Sequence, residues 1–396
     1  NLPNVQVHSL ELSQTTNTLL AGTYGRGVFR LFLNDSTANG GALREVSGSS
    51  TWTGSVIFNN DTTIRVDGTQ LISSGVSAAS LTLSGVVSDI KAGLNYTFNK
   101  TGQGTLVLNQ ANTYGGKTNV LQGVLSIKNA GALGGTALGT EVFTGAALQL
   151  ESNLGNEPVT LHGDGPAFND HNTGSLHNVS GANTYTGPLT LASDATIGVD
   201  SGQSLAITNV IGDGGGGYNL TKELTGTLVL SGSNTYGGVT SVDQGVLQIT
   251  NSLALGGSTG GTVVRDGAQL QLANNITVVG EHLSLSGGGI NHTGALLNLS
   301  DANLWQGGVT FTDLPGFAPA TTPPNDVTIG ANAASTLTID GVVDQNLHSF
   351  GLDKVGGGRV ILKRDSTYSG LTTVEAGQLQ GQSNGAFGTV PAPTPF

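Results

Sequence analysis

The sequence predicts an all-β fold, a parallel β-helix preceded by a short antiparallel β segment, on three observations. The passage GTLVLNQANTYGGKTNVLQGVLSI at 104–127 recurs as GTLVLSGSNTYGGVTSVDQGVLQI at 226–249 and as GRVILKRDSTYSGLTTVEAGQLQG at 358–381. Within each copy two glycines 19 residues apart introduce alternating apolar runs such as TLVL, VLSI and VLQI. The 396 residues include 63 Gly and only 10% charged side chains, a balance that favours many short strands joined by turns over a charge-rich disordered chain.

Residues 1–33 stand outside the repeat. They predict strands Val7–Leu12, Thr18–Thr23 and Val28–Leu33, separated by turns at SQTTN and YGRG. The ending AGTYGRGVFR resembles the closing blade of a sialidase-like or sortilin-like β-propeller. One blade alone leaves its faces and edges unpaired, so the segment is expected to cap the helix, to be the remnant of an upstream propeller, or to donate strands to a neighbouring molecule. Strand donation would make the chain polymerise head to tail.

Residues 34–396 are read as the parallel β-helix. The motif recurs at Tyr114, Tyr236 and Tyr368, and between these copies lie GALREVSGSSTWTGSV from Gly41, GSLHNVSGANTYTGPL from Gly174 and GALLNLSDANLWQGGV from Gly294. Together they define a super-repeat of about 120 to 133 residues, present nearly three times, which marks a solenoid. The finer step near 20 residues is too short for a propeller blade and has no helical part for a leucine-rich repeat. One coil per step gives about 17 coils and a rod on the order of 80 Å long. Leu and Val at matching positions would stack inside, with Gly and Asn at the corners, where positive φ is cheap for them.

The aromatic ring of each NTYGG-type cluster caps the apolar stack or offers a sugar-stacking platform; recurrence every third coil favours the cap. A Pro-rich insertion, TDLPGFAPATTPPNDV at 312–327, cannot supply ladder hydrogen bonds and is expected to leave the coil as a protruding loop, a tolerated insertion or a lateral contact.

Several function classes are disfavoured. A formal net charge of −12 offers no cationic track for a phosphate backbone, so nucleic acid is not expected as a partner. No run reaches the roughly 18 apolar residues of a spanning helix, and no signal segment opens the chain. The absence of Cys suits an oxidising exterior, and the absence of Met predicts a processed chain or a segment of a longer one. The ending FGTVPAPTPF reads as a cut through a turn.

For catalysis, a β-helix enzyme needs two or three carboxylates converging on one face. The best cluster is LHGDGPAFNDHNTGSLHN, with His162, Asp164, Asp170, His171 and His177. The matching LSGGGINHTGALLN at 285–298 lacks its carboxylates, so the cluster reads as an enlarged turn. IGDGGGG at 211–217 has neither the Lys-Ser/Thr nor the helix of a phosphate loop, and GTYGRG at 22–27 reads as a hairpin turn. No zinc-type spacing, calcium nonapeptide or nucleophile elbow is present. Sequons such as Asn60-Asp61-Thr62, Asn178-Val179-Ser180 and Asn275-Ile276-Thr277 are expected by chance in a chain this rich in Asn and Thr.

The order G-T-L-V-L, N-T-Y-x-G, G-x-L-x-[IL], then AGALGG at 130–135 or SLALGG at 252–257, resembles the autotransporter-associated β-strand repeat of bacterial passenger proteins. NVSGANTYTG at 178–187 is similar to another recurrent element of the same proteins. The resemblance covers about residues 38–396. It implies a right-handed β-helix displayed outside the cell for adhesion, coating or scaffolding, and it transfers no catalytic residue.

The expectation is therefore a non-enzymatic extracellular structural protein: a surface fibre, filament subunit or adhesin stalk, with no catalytic, cofactor-binding or metal residue assigned. Its partners would be copies of itself, head to tail or lateral, or cell-surface and matrix components. A carbohydrate-active β-helix enzyme would instead show a groove lined by Asp or Glu from neighbouring coils. A lectin-like module would use exposed rings such as Tyr236.

Overall fold

Strands of three to five residues with apolar side chains at alternate positions bury one face each, and stacking them in parallel lets equal positions meet from coil to coil. The computed structural model describes residues 7–13, 18–23, 27–32, 41–68, 79–168, 171–314, 326–346 and 348–389. They form a parallel β-solenoid of about 14 turns with almost no helix. The chain divides into two units, Asn1–Gly198 and Val199–Phe396.

In the first unit, strands Ser80–Leu83, Thr105–Leu108, Gly123–Ile127 and Ala146–Leu150 pair in parallel and in register. Leu81, Leu106, Leu125 and Leu148 therefore make one interior column, and Leu83, Leu108, Ile127 and Leu150 a second; all are buried. A further wall stacks Val120, Val142, Leu161 and Leu191. In the second unit Leu205, Leu228, Leu247, Leu270, Leu296 and Ile329 repeat the arrangement.

The count of about 14 turns corrects the expected 17. The 19-residue step is real for Thr105 to Val124 and Thr227 to Val246. Other coils are longer, such as 25 residues from Ser80 to Thr105 and 33 from Leu296 to Ile329, because their corners carry more chain. Apolar spacing measures the shortest coil and not the mean.

The glycine that opens the second strand of each motif is required by geometry. Gly123, Gly245 and Gly377 have φ of 65°, 66° and 70°. A Cβ on Gly245 would lie 2.5 Å from the Leu224 carbonyl oxygen of the preceding coil, closer than any side chain tolerates.

At the start of the first unit, β1 (Val7–Ser13), β2 (Thr18–Thr23) and β3 (Gly27–Phe32) form an antiparallel meander. Leu31 of β3 then pairs antiparallel with Leu43 of β4 (Leu43–Glu45), and Leu43 pairs parallel with Ile64 of the solenoid. The SQTTN and YGRG turns fall largely outside the described residues. So does most of the Pro-rich loop, at 315–325.

Candidate functional site

Three buried lysines set the chemistry of the interior. Lys100, Lys222 and Lys354 are 0%, 1% and 0% exposed and sit at wall positions otherwise held by Val and Leu: Lys100 stands between Ile64 and Val120, and Lys222 beside Val242. Each ammonium reaches a corner and donates to three backbone carbonyls. For Lys100 these belong to Thr101, Gly102 and Gln122 at 3.2, 2.7 and 2.7 Å. For Lys222 they belong to Glu223, Leu224 and Gln244 at 2.9, 2.6 and 3.2 Å, and for Lys354 to Val355, Gly356 and Ala376 at 2.7, 2.8 and 3.0 Å. Burial pushes Lys100 and Lys222 down to about 7 and also lowers Lys354. Three carbonyls matched to the three N–H groups of an ammonium act the other way. The seat also fixes the corner, because Gly102, Leu224 and Gly356 all have positive φ.

The repeated aromatic rings are inside. Tyr114, Tyr185, Tyr236, Trp305 and Tyr368 are each 0% exposed, so these rings offer no face to a sugar. Tyr114 and Thr118 hydroxyls are 2.8 Å apart, and the Tyr236–Thr240 and Tyr368–Thr372 pairs 2.7 Å. Tyr114 also packs on Phe58 and Phe98 at 5.6 Å between ring centres. Tyr185 instead donates toward the carbonyls of Glu157 and Pro188 at 2.7 Å.

The IGDGGGG loop is folded around its own anion. The Asp213 carboxylate accepts the backbone N–H of Gly215, Gly217, Tyr218 and Gly237, which counters burial and leaves the acid below its usual range. Asp89 accepts from Gly115, and Gln345 from Ser369, at the matching corners.

The polar cluster of the sequence does not converge. The His162 imidazole lies 2.8 Å from Glu141, stacks on Phe143 at 5.4 Å, and shares Glu141 with Lys117. The Lys117 hydrogen bond, ahead of that from His162, holds Glu141 below the carboxylate range. Asp164 accepts the Thr196 hydroxyl at 2.7 Å, and His177 is 3.3 Å from Gln149. Asp170 lies outside the described residues, and His171 belongs to a two-residue antiparallel hairpin with Ala167–Phe168. A shallow concavity of about 440 Å³ in the first unit is lined by Gly48, Arg65, Asp67, Gly102 and Gln122. Its carboxylate, Asp67, is held between Arg44 and Arg65 at 2.5 Å each, an arrangement that balances charge and leaves no acid–base pair.

A family model described as the passenger-associated-transport repeat matches residues 98–127, 176–196, 220–249 and 352–380. The chain carries passenger-associated-transport repeats. It is similar to the adhesin BmaC autotransporter of Brucella suis biovar 1, 33% identical over 72% of this chain and 8% of the relative, and to the probable autotransporter YfaL of Escherichia coli K12, 26% identical over 73% of this chain and 21% of the relative. The chain thus spans less than a quarter of either relative. No solved structure matches it. These matches give a cell-surface or extracellular location.

The repeat boundaries coincide with the geometry. Three matches begin at Phe98, Leu220 and Leu352, two residues before the buried lysine, and contain the aromatic residue 14 positions beyond it. The fourth match, 176–196, contains Tyr185. Each long repeat is thus a structural unit of lysine seat, strand, aromatic corner and next strand. Sequence reasoning passed over Lys100, Lys222 and Lys354; their constant distance from Tyr114, Tyr236 and Tyr368 was the signal available.

Proposed function

We propose that this chain is a segment of an autotransporter passenger, a non-enzymatic β-solenoid that serves at the bacterial surface as an adhesin-type scaffold. The observation that carries the reading is that the transport-repeat matches each contain one complete structural unit, with its polar side chains directed to backbone corners and to one another. Extended strand ladders resist proteolysis and loss of register, the properties wanted outside the cell. The name of the Brucella relative supports adhesion as the activity.

The test is display of the chain on cells through a heterologous autotransporter barrel. Surface accessibility to added protease together with increased retention of the cells on epithelial monolayers or immobilised matrix protein supports the reading. Display without any gain in retention would overturn the adhesin part of it.

Head-to-tail association through the N-terminal strands is a finer form of this proposal. Among the described pairings β1 has a neighbour on one side, β2, and a strand edge of that kind accepts another chain by main-chain hydrogen bonding. Sedimentation across a concentration series decides it: growth in mass that disappears on deleting residues 1–33 supports association, and constant monomer mass refutes it.

A further inference from the structure

We propose that His292, Asp353 and Glu375 form a binding site for a divalent transition-metal ion of the zinc class, joining a surface turn to two strands of later coils. Each residue offers one ligand atom, an imidazole nitrogen or a carboxylate oxygen, and the three atoms lie within 4.8 Å of one another. His292 Nε2 is 3.1 Å from Glu375 Oε1. Zinc binds imidazole nitrogen and carboxylate oxygen at about 2.0–2.2 Å, so ligand atoms at these separations need only side-chain adjustment to share one ion.

The backbone supplies the convergence. Thr328, Asp353 and Thr373 are register partners on adjacent parallel strands, so their side chains leave the same face. Glu375 follows the last of these strands, Thr372–Val374. His292 ends the 3-10 turn Ile290–His292, where Asn291 and His292 both have positive φ. On its other side the imidazole Nδ1 is 3.4 Å from the Thr328 hydroxyl. That contact leaves Nε2 as the nitrogen presented to the carboxylates, the tautomer choice that an outer partner makes for a metal-binding His.

Two further observations separate the cluster from an ordinary solvated face. Where Glu375 stands, seven residues after the aromatic ring, the second repeat has Asp243, which Arg265 neutralises at 3.0 Å, and the first has Leu121. Where Asp353 stands, the earlier copies have Thr221 and Asn99. The third copy thus adds one carboxylate and, among the described residues, neither Asp353 nor Glu375 has a Lys or Arg ion pair. Burial, followed by the neighbouring Asp326 carboxylate, raises the Asp353 acid, and Glu375 acts in the same direction. The adjacent Lys354 is turned inward onto its three carbonyls. A cation would relieve this crowding and tie residue 292 to residue 375 across 83 positions of chain.

The experiment is calorimetric titration of ZnCl2 into the tag-free full chain near neutral pH, with thermal melting and limited proteolysis alongside. One ion per chain is expected, with affinity weakened about tenfold or more in both His292→Gln and Glu375→Gln and unchanged in His162→Ala. Zinc is also expected to protect the last coil from protease in the wild type and not in Glu375→Gln. Circular dichroism of each variant separates loss of a ligand from loss of fold. Absence of saturable binding, or binding that survives the combined His292→Gln and Glu375→Gln change, overturns the proposal. Binding of CaCl2 in preference to zinc, lost with Asp353→Asn but indifferent to His292→Gln, overturns the transition-metal assignment in favour of an oxygen-only site.

Discussion

The Lys222 ammonium donates to the Gln244 carbonyl at 3.2 Å, from one coil to the next, while also holding the carbonyls of Glu223 and Leu224. A charge has been placed in an apolar column so that a corner of backbone can be closed without water. Lys222→Ala leaves three buried carbonyls without their donor and opens a cavity; the expected loss of stability is about 3–5 kcal/mol. Lys222→Met keeps the volume and is expected to lose less. Denaturant unfolding of both variants checks the order.

Tyr236→Phe removes the hydroxyl paired with Thr240 at 2.7 Å, and about 1 kcal/mol of stability should go with it. Tyr236→Ala empties a fully buried site and should cost about 3–5 kcal/mol. Because the ring is 0% exposed, sugar binding by the folded protein should be identical in wild type and Tyr236→Phe; a glycan signal lost in the Phe variant alone would contradict this placement.

Gly245→Ala is expected to destabilise by at least about 2 kcal/mol, combining a left-handed φ with a Cβ 2.5 Å from the Leu224 oxygen. Gly93→Ala, also at positive φ but with no atom within 4 Å of the new Cβ, isolates the conformational part and should cost less. Paired thermal melts give the difference.

Stability should fall between about pH 5 and pH 7. Burial raises Glu157, Glu223 and Glu281 to about 7 and Glu45 to about 8, opposed at Glu157 and Glu281 by the hydroxyls of Thr140 and Thr262. A folded-state value above the ordinary 4.5 means the folded chain holds these protons more tightly than the unfolded one. The resulting stabilisation is complete below 4.5 and is lost as pH rises through about 7. Glu157→Gln and Glu281→Gln should flatten that slope in denaturant titrations at a series of pH values. An unchanged slope in the double variant would show that both acids are ionised in the fold.

The sequence made the strand ladder legible because Leu106, Leu125, Leu228 and Leu247 repeat at one spacing, and glycine stands wherever that spacing begins. The number of turns was not legible, since coil length is set at corners such as 299–325, where no apolar position keeps time. The lysine seats escaped for a physical reason. Pattern reading assigns Lys to solvent, while Lys100 occupies a column between Ile64 and Val120. His292, Asp353 and Glu375 escaped because three different coils contribute them, and nothing in linear spacing marks residues brought together only by stacking. Conversely His162, Asp164 and His177 are near in sequence, yet each is committed to its own partner.

The lysine seats also bear on how a chain written nearly three times over avoids pairing with the wrong copy of itself. Leu and Val columns are interchangeable, and a slip by one coil would leave almost every apolar contact equivalent. The lysine is not interchangeable. A slipped coil would put its ammonium against Val or Leu with no carbonyl fork in reach, a penalty of several kcal/mol at that one rung. Each lysine is in this sense a page number, and the solenoid can be assembled in order because the pages are numbered.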